Sequence, residues 1–279
     1  MVRRTKYCTS FIWNEVDVST YVNPYKGTFA GRDYDSPYRP PREFPHRPSC
    51  EKFKDFVDST LNESVRTGSL LFWGFIGQVQ SPHLVMPITV EPTKSRMCHD
   101  ERFLNLWIRD LPLSLGYLSD LPRYVGPGHF QTVCDDKSGY DHLLLTPTSR
   151  TMFGLRWDGC YFVYASLPFR WKASAYVYHS TGLVATSYIR TLNIPCSQYI
   201  NDRHNGQLVT PTGCNWCDFQ KAEVAAYIVT SILTTLGYTI ALPKSSLLPS
   251  QCVSFLGYLS NSLLMAFILP DNKKRSLEC

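Results

Sequence analysis

The sequence has no uninterrupted apolar run that is an obvious membrane span, and it is poor in charged residues. Of its 279 residues, 18% are charged and 44% are hydrophobic, a composition typical of globular proteins and unlike that of disordered or coiled-coil chains. Residues 222–242 come nearest to a span, with Glu223 as their single charge. Their threonines, Gly237 and the following Pro243 favour a buried helix and then a strand. We therefore expect a packed fold with no membrane partner.

No secretory signal is recognisable either. The basic start, Met1-Val-Arg-Arg-Thr-Lys, is followed by no apolar segment, and the ten cysteines are scattered along the chain. We expect mostly buried free thiols and a cytoplasmic or nuclear protein that is not secreted. Cys214 and Cys217 have the spacing of a zinc knuckle, but no second pair follows at a suitable distance, which argues against a structural zinc ion.

Positive charge is in modest excess and unevenly distributed. The net charge of +5 suits a polyanionic partner such as nucleic acid, but it also fits an ordinary basic surface. Arg32, Arg39, Arg42 and Arg47 lie among Tyr and Pro residues before position 49. The prolines exclude long helices there and favour an extended, polyproline-like arm over residues 1–48.

Hydrophobic periodicity predicts a mixed order of helices and strands after the arm. Pro87 places one of the strands at a sheet edge, and Asp158-Gly159 marks the turn of a hairpin. The predicted elements are a helix at 49–67, a strand at 84–90, a hairpin at 153–164, a helix from Pro168 to about Leu192, a short strand at 197–200, a helix from Ala222, and strands at 238–241 and 253–259. This order indicates an α+β fold.

Acidic residues follow two of the apolar strands. Asp135-Asp136 ends the strand before the hairpin, and Asp202 lies in the turn after the short strand at 197–200. Each site alone is typical of a structural turn. Together they suggest more, because phosphoryl transfer by two magnesium ions needs hard oxygen ligands from separate strands held side by side.

Several segments together resemble the ordered motifs of reverse transcriptases of the retroelement kind. In chain order, residues 94–105 (Lys-Ser-Arg-Met-Cys-His-Asp-Glu-Arg-Phe-Leu-Asn) are similar to a fingers segment, 134–140 (Cys-Asp-Asp-Lys-Ser-Gly-Tyr) to motif A, 167–174 (Leu-Pro-Phe-Arg-Trp-Lys-Ala-Ser) to motif B, 198–202 (Gln-Tyr-Ile-Asn-Asp) to the YxDD box of motif C, 236–238 (Leu-Gly-Tyr) with Lys244 to motif D, and 255–258 (Phe-Leu-Gly-Tyr) to the primer grip of motif E. The sequences of these motifs are most similar to those of DIRS-type retrotransposons, followed by those of gypsy-like elements.

The resemblance implies a right-hand polymerase fold with fingers and palm subdomains and an antiparallel palm sheet backed by helices. It assigns the chain as follows: an extended arm at 1–48, fingers at 49–108 and 145–168, palm at 109–144 and 169–262, and a tail or thumb stub at 263–279. The thumb is expected to be absent or vestigial, with no room for a connection or RNase H domain.

The resemblance also implies roles for individual residues and names the partners. These are Mg²⁺ or Mn²⁺, two ions in an active relative, dNTPs, and an RNA or DNA primer-template. By position, Asp135 and Asp202 would bind metal with the backbone carbonyl of Asp136, and Lys244 would protonate pyrophosphate. Lys94 and Arg96 would meet the triphosphate, Tyr140 would lie under the sugar, and Phe169 and Arg170 would flank the nucleotide. The primer grip would be formed by Leu256, Gly257 and Tyr258. Outside the motif context a structural interpretation is favoured instead, with Tyr140 and Phe169 as core aromatics, Arg96 and Lys94 as solvated charges, and Lys244 as a charge at a helix end or turn.

The chain departs from the family at two of these positions. Asn201 stands where the box has a metal-binding aspartate, so a neutral amide replaces a negative charge. Such a loss costs several kcal/mol of metal binding and transition-state stabilisation, and about 1.4 kcal/mol is tenfold in rate. Arg170 replaces a glycine, and its side chain would crowd the nucleotide or find a phosphate. We expect very low or absent polymerase activity.

Three functions remain open from the sequence. The first is an RNA-directed DNA polymerase impaired by Asn201 and Arg170. The second is a catalytically inactive polymerase-fold protein that binds nucleic acid or is a retroelement relic. The third is an unrelated α+β domain in which the acidic turns are structural.

Overall fold

The computed structural model describes residues 15–91, 93, 96–208 and 212–274, which divide into two compact units. Among these residues, unit 1 consists of 113–139 and 178–274, and unit 2 consists of 15–112 and 140–177. Both units contain sheets and helices, which confirms the predicted α+β class. None of the helices in the described ranges is long and apolar enough to cross a bilayer.

The secondary-structure elements are numbered in chain order over the described residues. The helices are α1 (Ser49–Lys52), α2 (Lys54–Thr67), α3 (Arg102–Asn105), α4 (Pro147–Arg150), α5 (Ser174–Thr191), α6 (Asn215–Thr235) and α7 (Asp271–Lys274). The strands are β1 (Tyr25–Phe29), β2 (Arg32–Ser36), β3 (Arg42–Glu43), β4 (Leu70–Phe75), β5 (Leu84–Val85), β6 (Ile88–Glu91), β7 (Arg96–His99), β8 (Gln131–Asp135), β9 (Gly154–Trp157), β10 (Cys160–Tyr164), β11 (Cys196–Tyr199), β12 (Asp202–Gly206), β13 (Ser246–Ser250), β14 (Cys252–Phe255), β15 (Tyr258–Asn261) and β16 (Ala266–Ile268).

Unit 1 is built on an antiparallel sheet with the order β11-β12-β8-β13. All five residues of β8 are buried, as expected for a central strand that helices and neighbouring strands cover. Helix α6 packs on β8, β12 and β13. A second sheet, β14-β15-β16, contributes Val253 and Phe255 to a core with Leu121 and Val133. The sheet therefore holds the ends of β8 and β12 on a packed base.

Unit 2 contains a mixed five-stranded sheet with the order β3-β5-β9-β10-β4, in which β3-β5 and β5-β9 are the parallel pairs. The predicted hairpin at 153–164 is confirmed as β9-β10, and positive φ angles at Asp158 and Gly159 give it the two-residue turn that suits twisted strands. Its core includes Val57, Leu61, Leu155 and Trp157. Two smaller pairs, β1-β2 and β6-β7, complete the unit.

Two predicted elements are each divided in the structure. The strand at 84–90 is two strands, β5 and β6, because Pro87 has no N–H for a ladder and its carbonyl instead accepts from Asp100. The helix at 49–67 breaks at Phe53, where φ is −116° and ψ is 36°. Helix α1 is tied to β6, since Cys50 donates to the Ile88 carbonyl at 3.1 Å, and it does not continue into α2.

The last two predicted strands were also wrong in detail. The segment at 253–259 is the hairpin β14-β15, because Leu256 and Gly257 have positive φ angles of 48° and 83° and reverse the chain. The segment at 238–241 forms an isolated bridge between Ile240 and Asp136 and no strand.

Candidate active site

The two acidic strand ends lie side by side in unit 1. Strands β8 and β12 are antiparallel neighbours, and Asp135 is directly opposite Asp202 in their register. Residues opposite each other in such a pair point to the same face of the sheet, with Cβ atoms about 4.5–5.5 Å apart. The juxtaposition predicted from the sequence is therefore present.

The turn between β11 and β12 is held in an unusual backbone conformation. Ile200 has a φ of 53°, which is a rare conformation for a β-branched residue and persists only when its surroundings impose it. Gln198 Nε2 donates to the Ile200 carbonyl at 2.8 Å, and Gln198 Oε1 accepts from Thr186 of α5 at 2.8 Å. The Asn201 carbonyl accepts from the Asp136 N–H at 3.0 Å. These bonds fix the turn against both α5 and β8.

The side chain of Asn201 contacts Asp135. Its Nδ2 donates to Asp135 Oδ2 at 3.2 Å, so the amide neutralises part of the Asp135 charge by hydrogen bonding. An aspartate at this position would instead add a second negative charge and two acceptor oxygens. The amide thus changes both the charge and the hydrogen-bonding sense of the site.

The carboxyl group of Asp202 lies among more negative than positive charge. Burial raises the pKa of Asp202 to about 7, and a hydrogen bond with Asp135 and the charges of Asp135 and Asp136 act in the same direction. The Lys244 ammonium lowers the pKa of Asp202, but it is the smallest of these influences. Two carboxylates crowded in this way are an arrangement that a bound cation would relieve.

Asp136 has a structural role that the sequence did not reveal. Its buried carboxylate forms an ion pair with Arg203, which is itself fully buried, and accepts from Tyr178 at 2.6 Å. Burial alone would lower the pKa of Arg203, but the Asp136 charge raises it on balance. Arg203 also lies over the Tyr238 ring, 5.0 Å from its centroid. The ion pair and the Tyr178 bond both use Asp136 Oδ2, while Oδ1 is buried without a hydrogen-bond partner among the described residues, so the side chain is held in the interior.

Few oxygen donors at this strand end could hold a cation. Asp135 and Asp202 supply two carboxylates, and the Asp136 carbonyl can supply a neutral oxygen, while Asn201 replaces a third negative ligand. In the part of the chain that the structure describes, no group of three or more His, Cys, Asp or Glu side chains is arranged to hold a metal ion. Carboxylate and carbonyl oxygens are the donors that hard cations such as Mg²⁺ take in proteins, and the Asn201 amide adds no negative charge to them.

The proposed primer-grip residues form the tip of the β14-β15 hairpin in unit 1. Tyr258 is 39% exposed, and the Gly257 carbonyl accepts from Lys273 at 3.0 Å. A Cβ at Gly257 would clash with that lysine side chain. Tyr258 and the hairpin backbone are thus presented to solvent at one end of the small sheet.

Three of the predicted nucleotide-contact residues lie together in unit 2. The Arg96 guanidinium is 5.8 Å from the centroid of the Phe169 ring, and the Tyr140 and Phe169 rings are 5.9 Å apart. Phe169 is 65% exposed, and burial raises the pKa of Tyr140. Lys94, another of the predicted nucleotide contacts, lies outside the described residues. The cluster combines a cation with two rings, as contacts to a phosphate and a sugar or base require.

Arg170 projects from the same stretch of unit 2. Its side chain is exposed, and Nη2 donates to Cys98 Sγ at 3.4 Å. Its backbone carbonyl accepts from Asn105 Nδ2 at 3.0 Å, and Asn105 Oδ1 accepts from the Lys172 N–H at 2.8 Å. Asn105 therefore braces the turn that carries Arg170.

A cavity in unit 2 is lined by aromatic and basic side chains and by one acidic residue, Asp100, which forms an ion pair with Arg102 at 2.6 Å. Its volume is about 510 Å³, and its lining includes Phe44, Phe103, Arg42, Arg47 and Arg102. The Arg42 guanidinium lies 4.9 Å from the Phe44 ring centroid. The clustering of Arg42, Phe44 and Arg47 was visible in the sequence, but Phe103 comes from a distant position.

Sequence comparison finds no match to a protein-family model and none to a curated protein. Solved structures do match. The foamy viral protease-reverse transcriptase dRH in complex with double-stranded DNA is similar with a TM-score of 0.68 at 21% identity, over 92% of this chain and 40% of that chain. The foamy viral protease-reverse transcriptase in complex with double-stranded DNA gives 0.64 at 20%, over 92% and 48%.

The same viral protein in complex with an RNA/DNA hybrid gives a TM-score of 0.65 at 20% identity, over 92% of this chain and 31% of that chain. The chain thus spans less than half the length of each of these neighbours. Taken with the α+β architecture, these likenesses establish that the chain has the fold of a reverse transcriptase.

Proposed function

We propose that this chain is the fingers and palm portion of a retroelement reverse transcriptase, of the DIRS or gypsy-like kind, with a metal site impaired by Asn201. In this proposal unit 1 corresponds to the palm and unit 2 to the fingers. The observation that carries the proposal is the pairing of Asp135 with Asp202 across β8 and β12, with the Asn201 amide bonded to Asp135. Its activity is template-directed addition of dNTPs to a primer, at a very low rate.

The residues of unit 1 have distinct tasks in this function. Asp135 and Asp202 hold the cations, and Lys244, whose charge already reaches Asp202, is placed to give a proton to the leaving pyrophosphate. Mg²⁺ or Mn²⁺, when bound, supplies the Lewis-acid charge that phosphoryl transfer needs. Asp136 acts indirectly: its ion pair with Arg203 anchors the strand end, and its N–H fixes the Asn201 carbonyl.

The residues of unit 2 meet the substrate in the same proposal. Arg96 neutralises triphosphate charge, Tyr140 excludes a ribose 2′-OH by bulk, and Phe169 packs on the nucleotide. The basic cavity at Arg42 and Arg47 favours contact with nucleic-acid phosphates, with Phe44 and Phe103 as stacking surfaces. Arg170 stands beside Phe169 and narrows the room for a nucleotide.

Primer extension tests the central claim. On an RNA template with Mg²⁺ or Mn²⁺, the unmodified chain is expected to extend a primer barely or not at all. Asn201→Asp restores a negative ligand, so extension should rise by about a hundredfold or more, which corresponds to about 3 kcal/mol. Adding Arg170→Gly should increase it further by opening the nucleotide space.

The matched control is Asn62→Asp, which makes the same charge change on the exposed face of α2 and should leave extension unchanged. Robust dNTP incorporation by the unmodified chain would contradict the assigned effect of Asn201. If the double variant stays inactive while it still binds primer-template, the limitation lies elsewhere than in positions 201 and 170.

The second candidate function is nucleic-acid binding without catalysis. The observation in its favour is that Asn201 already occupies Asp135 by a hydrogen bond, while the basic cavity in unit 2 does not depend on any metal. Primer-template binding by a chain that remains inactive as Asn201→Asp would support it.

A further inference from the structure

We propose that Cys214 and Cys217 form a redox-active dithiol that exchanges with low-molecular-weight disulfides such as oxidised glutathione. This site is independent of the proposed polymerase function. It uses a pair of thiols that the polymerase chemistry leaves aside and that the sequence presents at a spacing of three residues.

The two thiols are placed together at the start of α6. Cys214 is the residue before the helix, with an extended backbone (φ −106°, ψ 110°), and Cys217 lies in the first turn. An extended residue at this position lets its side chain fold back over the first turn instead of pointing away, as a helical one would. Cys214 at the N-cap and Cys217 at the third helical position lie at the same end of the helix, where an N-cap side chain commonly reaches the third residue. The two thiols shift each other's pKa, and a disulfide needs such neighbours.

Both thiols are also reachable from solvent. Cys214 and Cys217 are exposed and free, in contrast with Cys50, Cys134 and Cys196, which are buried. The neighbouring Trp216 is 66% exposed. Small disulfides can therefore approach this pair, and the buried thiols are shielded from them.

The surrounding groups give the two thiols different reactivities. Backbone and side-chain hydrogen bonds from Cys217, and the Trp216 N–H, lower the pKa of Cys214. The hydrogen bond to Cys214 raises the pKa of Cys217. Cys214 is thus the attacking thiolate and Cys217 the resolving thiol, as in other dithiols with two intervening residues at a helix start.

A structural zinc ion fits this pair less well than exchange does. The nearest acidic side chain in sequence, Asp218, is already bonded to Thr212 through its N–H at 3.0 Å and its hydroxyl at 3.1 Å. No third and fourth ligand complete a tetrahedral set within the described residues.

The exchange proceeds in two balanced steps. The Cys214 thiolate attacks one sulfur of the oxidised glutathione, its S–S bond breaks, and one glutathione thiolate leaves. Cys217 then loses its proton and attacks Cys214 in the mixed disulfide, which forms the Cys214–Cys217 bond and releases the second glutathione. The dithiol is oxidised by two electrons and the glutathione disulfide is reduced to two thiols.

Mass mapping of the full chain after incubation with a glutathione redox buffer tests the proposal. Trypsin releases both cysteines in one peptide, residues 204–221. In the unmodified chain this peptide should lose two thiols to an internal disulfide and carry no glutathione. In Cys217→Ser the mixed disulfide at Cys214 should accumulate, because no resolving thiol remains.

Cys252→Ser is the matched control, since Cys252 is also exposed but stands alone. It should leave the internal disulfide unchanged, whereas Cys252 itself in the unmodified chain should carry glutathione only as a mixed disulfide. The proposal is overturned if the 204–221 peptide of the unmodified chain stays reduced while Cys252 is modified. It is equally overturned if a stable mixed disulfide, and no internal bond, is found at Cys214.

Discussion

Arg203 and Asp136 make a buried ion pair directly beneath the candidate site. Both side chains are fully buried, Tyr178 donates to the same carboxylate, and Tyr238 covers the guanidinium. Burial first, and then the Asp136 charge, raise the pKa of Tyr178 well above its ordinary value, so its hydroxyl remains a hydrogen-bond donor. Each of the two buried charges therefore depends on the other for its compensation.

Removing one partner of this pair should destabilise unit 1 strongly. Arg203→Met leaves the Asp136 charge buried and uncompensated, so we expect a loss of about 3–5 kcal/mol in the free energy of unfolding. Urea denaturation followed by circular dichroism measures it. Arg66→Met removes an exposed pair with Glu63 and should change stability by less than about 1 kcal/mol. Equal effects of the two substitutions would contradict a structural role for Arg203.

Among individual residues, the sequence identified those that are recognisable from their immediate neighbours in the chain. Asp135 and Asp202 each follow an apolar strand, and Asn201 is recognisable because it interrupts a known box. Arg203 could not be identified in this way, since its partner is 67 positions away and an arginine beside an acidic turn normally faces solvent. The sequence analysis placed the residues after the short strand at 197–200 in a turn and predicted no strand there, whereas Arg203 is the second residue of β12.

Helix α5 approaches β11 closely through Gly182. A Cβ there would clash with the Gln198 side-chain amide, which is the group that holds the Ile200 carbonyl. Glycine in a helix interior is otherwise unfavourable by about 1 kcal/mol relative to alanine. Its presence at this position is explained by the close approach, which lets a single glutamine connect α5 to the turn.

We predict that Gly182→Ala reverses the usual effect of this substitution on a helix. The gain of about 1 kcal/mol from helix propensity should be outweighed by displacement of Gln198, which gives a net loss of about 1–3 kcal/mol, as for overpacked cores. Thermal or urea unfolding measures the change. Ser187→Ala, on the exposed side of α5, should be neutral or slightly stabilising. A stabilised Gly182→Ala chain would show that Gln198 does not need this space.

Sequence patterns predicted the elements whose turn residues are typical, and missed those whose boundaries depend on distant strands. Asp158-Gly159 gave the hairpin β9-β10 correctly. Leu256-Gly257 makes the same kind of turn, but leucine at a positive φ is too rare to predict. The break at Phe53 accompanies the contact between α1 and β6, in which Cys50 bonds Ile88, 38 positions further along the chain. A local sequence pattern does not contain such a contact.

Across the whole molecule, the charge is moderate and its distribution matters more than its sum. The net charge is +5, yet Arg42 and Arg47 lie at one cavity with aromatic rings. Each contact of a basic residue with a phosphate releases a counterion, so binding weakens as salt rises.

Primer-template binding should therefore be salt-sensitive and tolerant of sequence. Arg42→Gln with Arg47→Gln should reduce the slope of log K against log salt by about two, since each phosphate contact contributes about 0.9 on duplex DNA. Fluorescence anisotropy at several salt concentrations measures the slope. The control is Arg66→Gln, which removes a basic residue that does not line this cavity. Arg102 is not used as a control, because it lines the same cavity. An unchanged slope in the double variant would remove this cavity from the binding surface.

The overall assembly was only partly accessible from the sequence. The α+β class followed from the order of elements, and the likeness to solved reverse transcriptases agrees with the ordered motifs. The division into two units, each made of two separate stretches of chain, arises from long-range packing that hydrophobic periodicity does not record.

The commitment of Asp136 to Arg203 also limits what the proposed cation site can use. A carboxylate that was free to turn could add a ligand beside Asp135, but the Asp136 side chain is held inside the protein by Arg203 and Tyr178. Under the proposed function, a third negative ligand therefore has to come from position 201 itself. Codons for asparagine and aspartate differ by a single base, so this change is one transition in the gene.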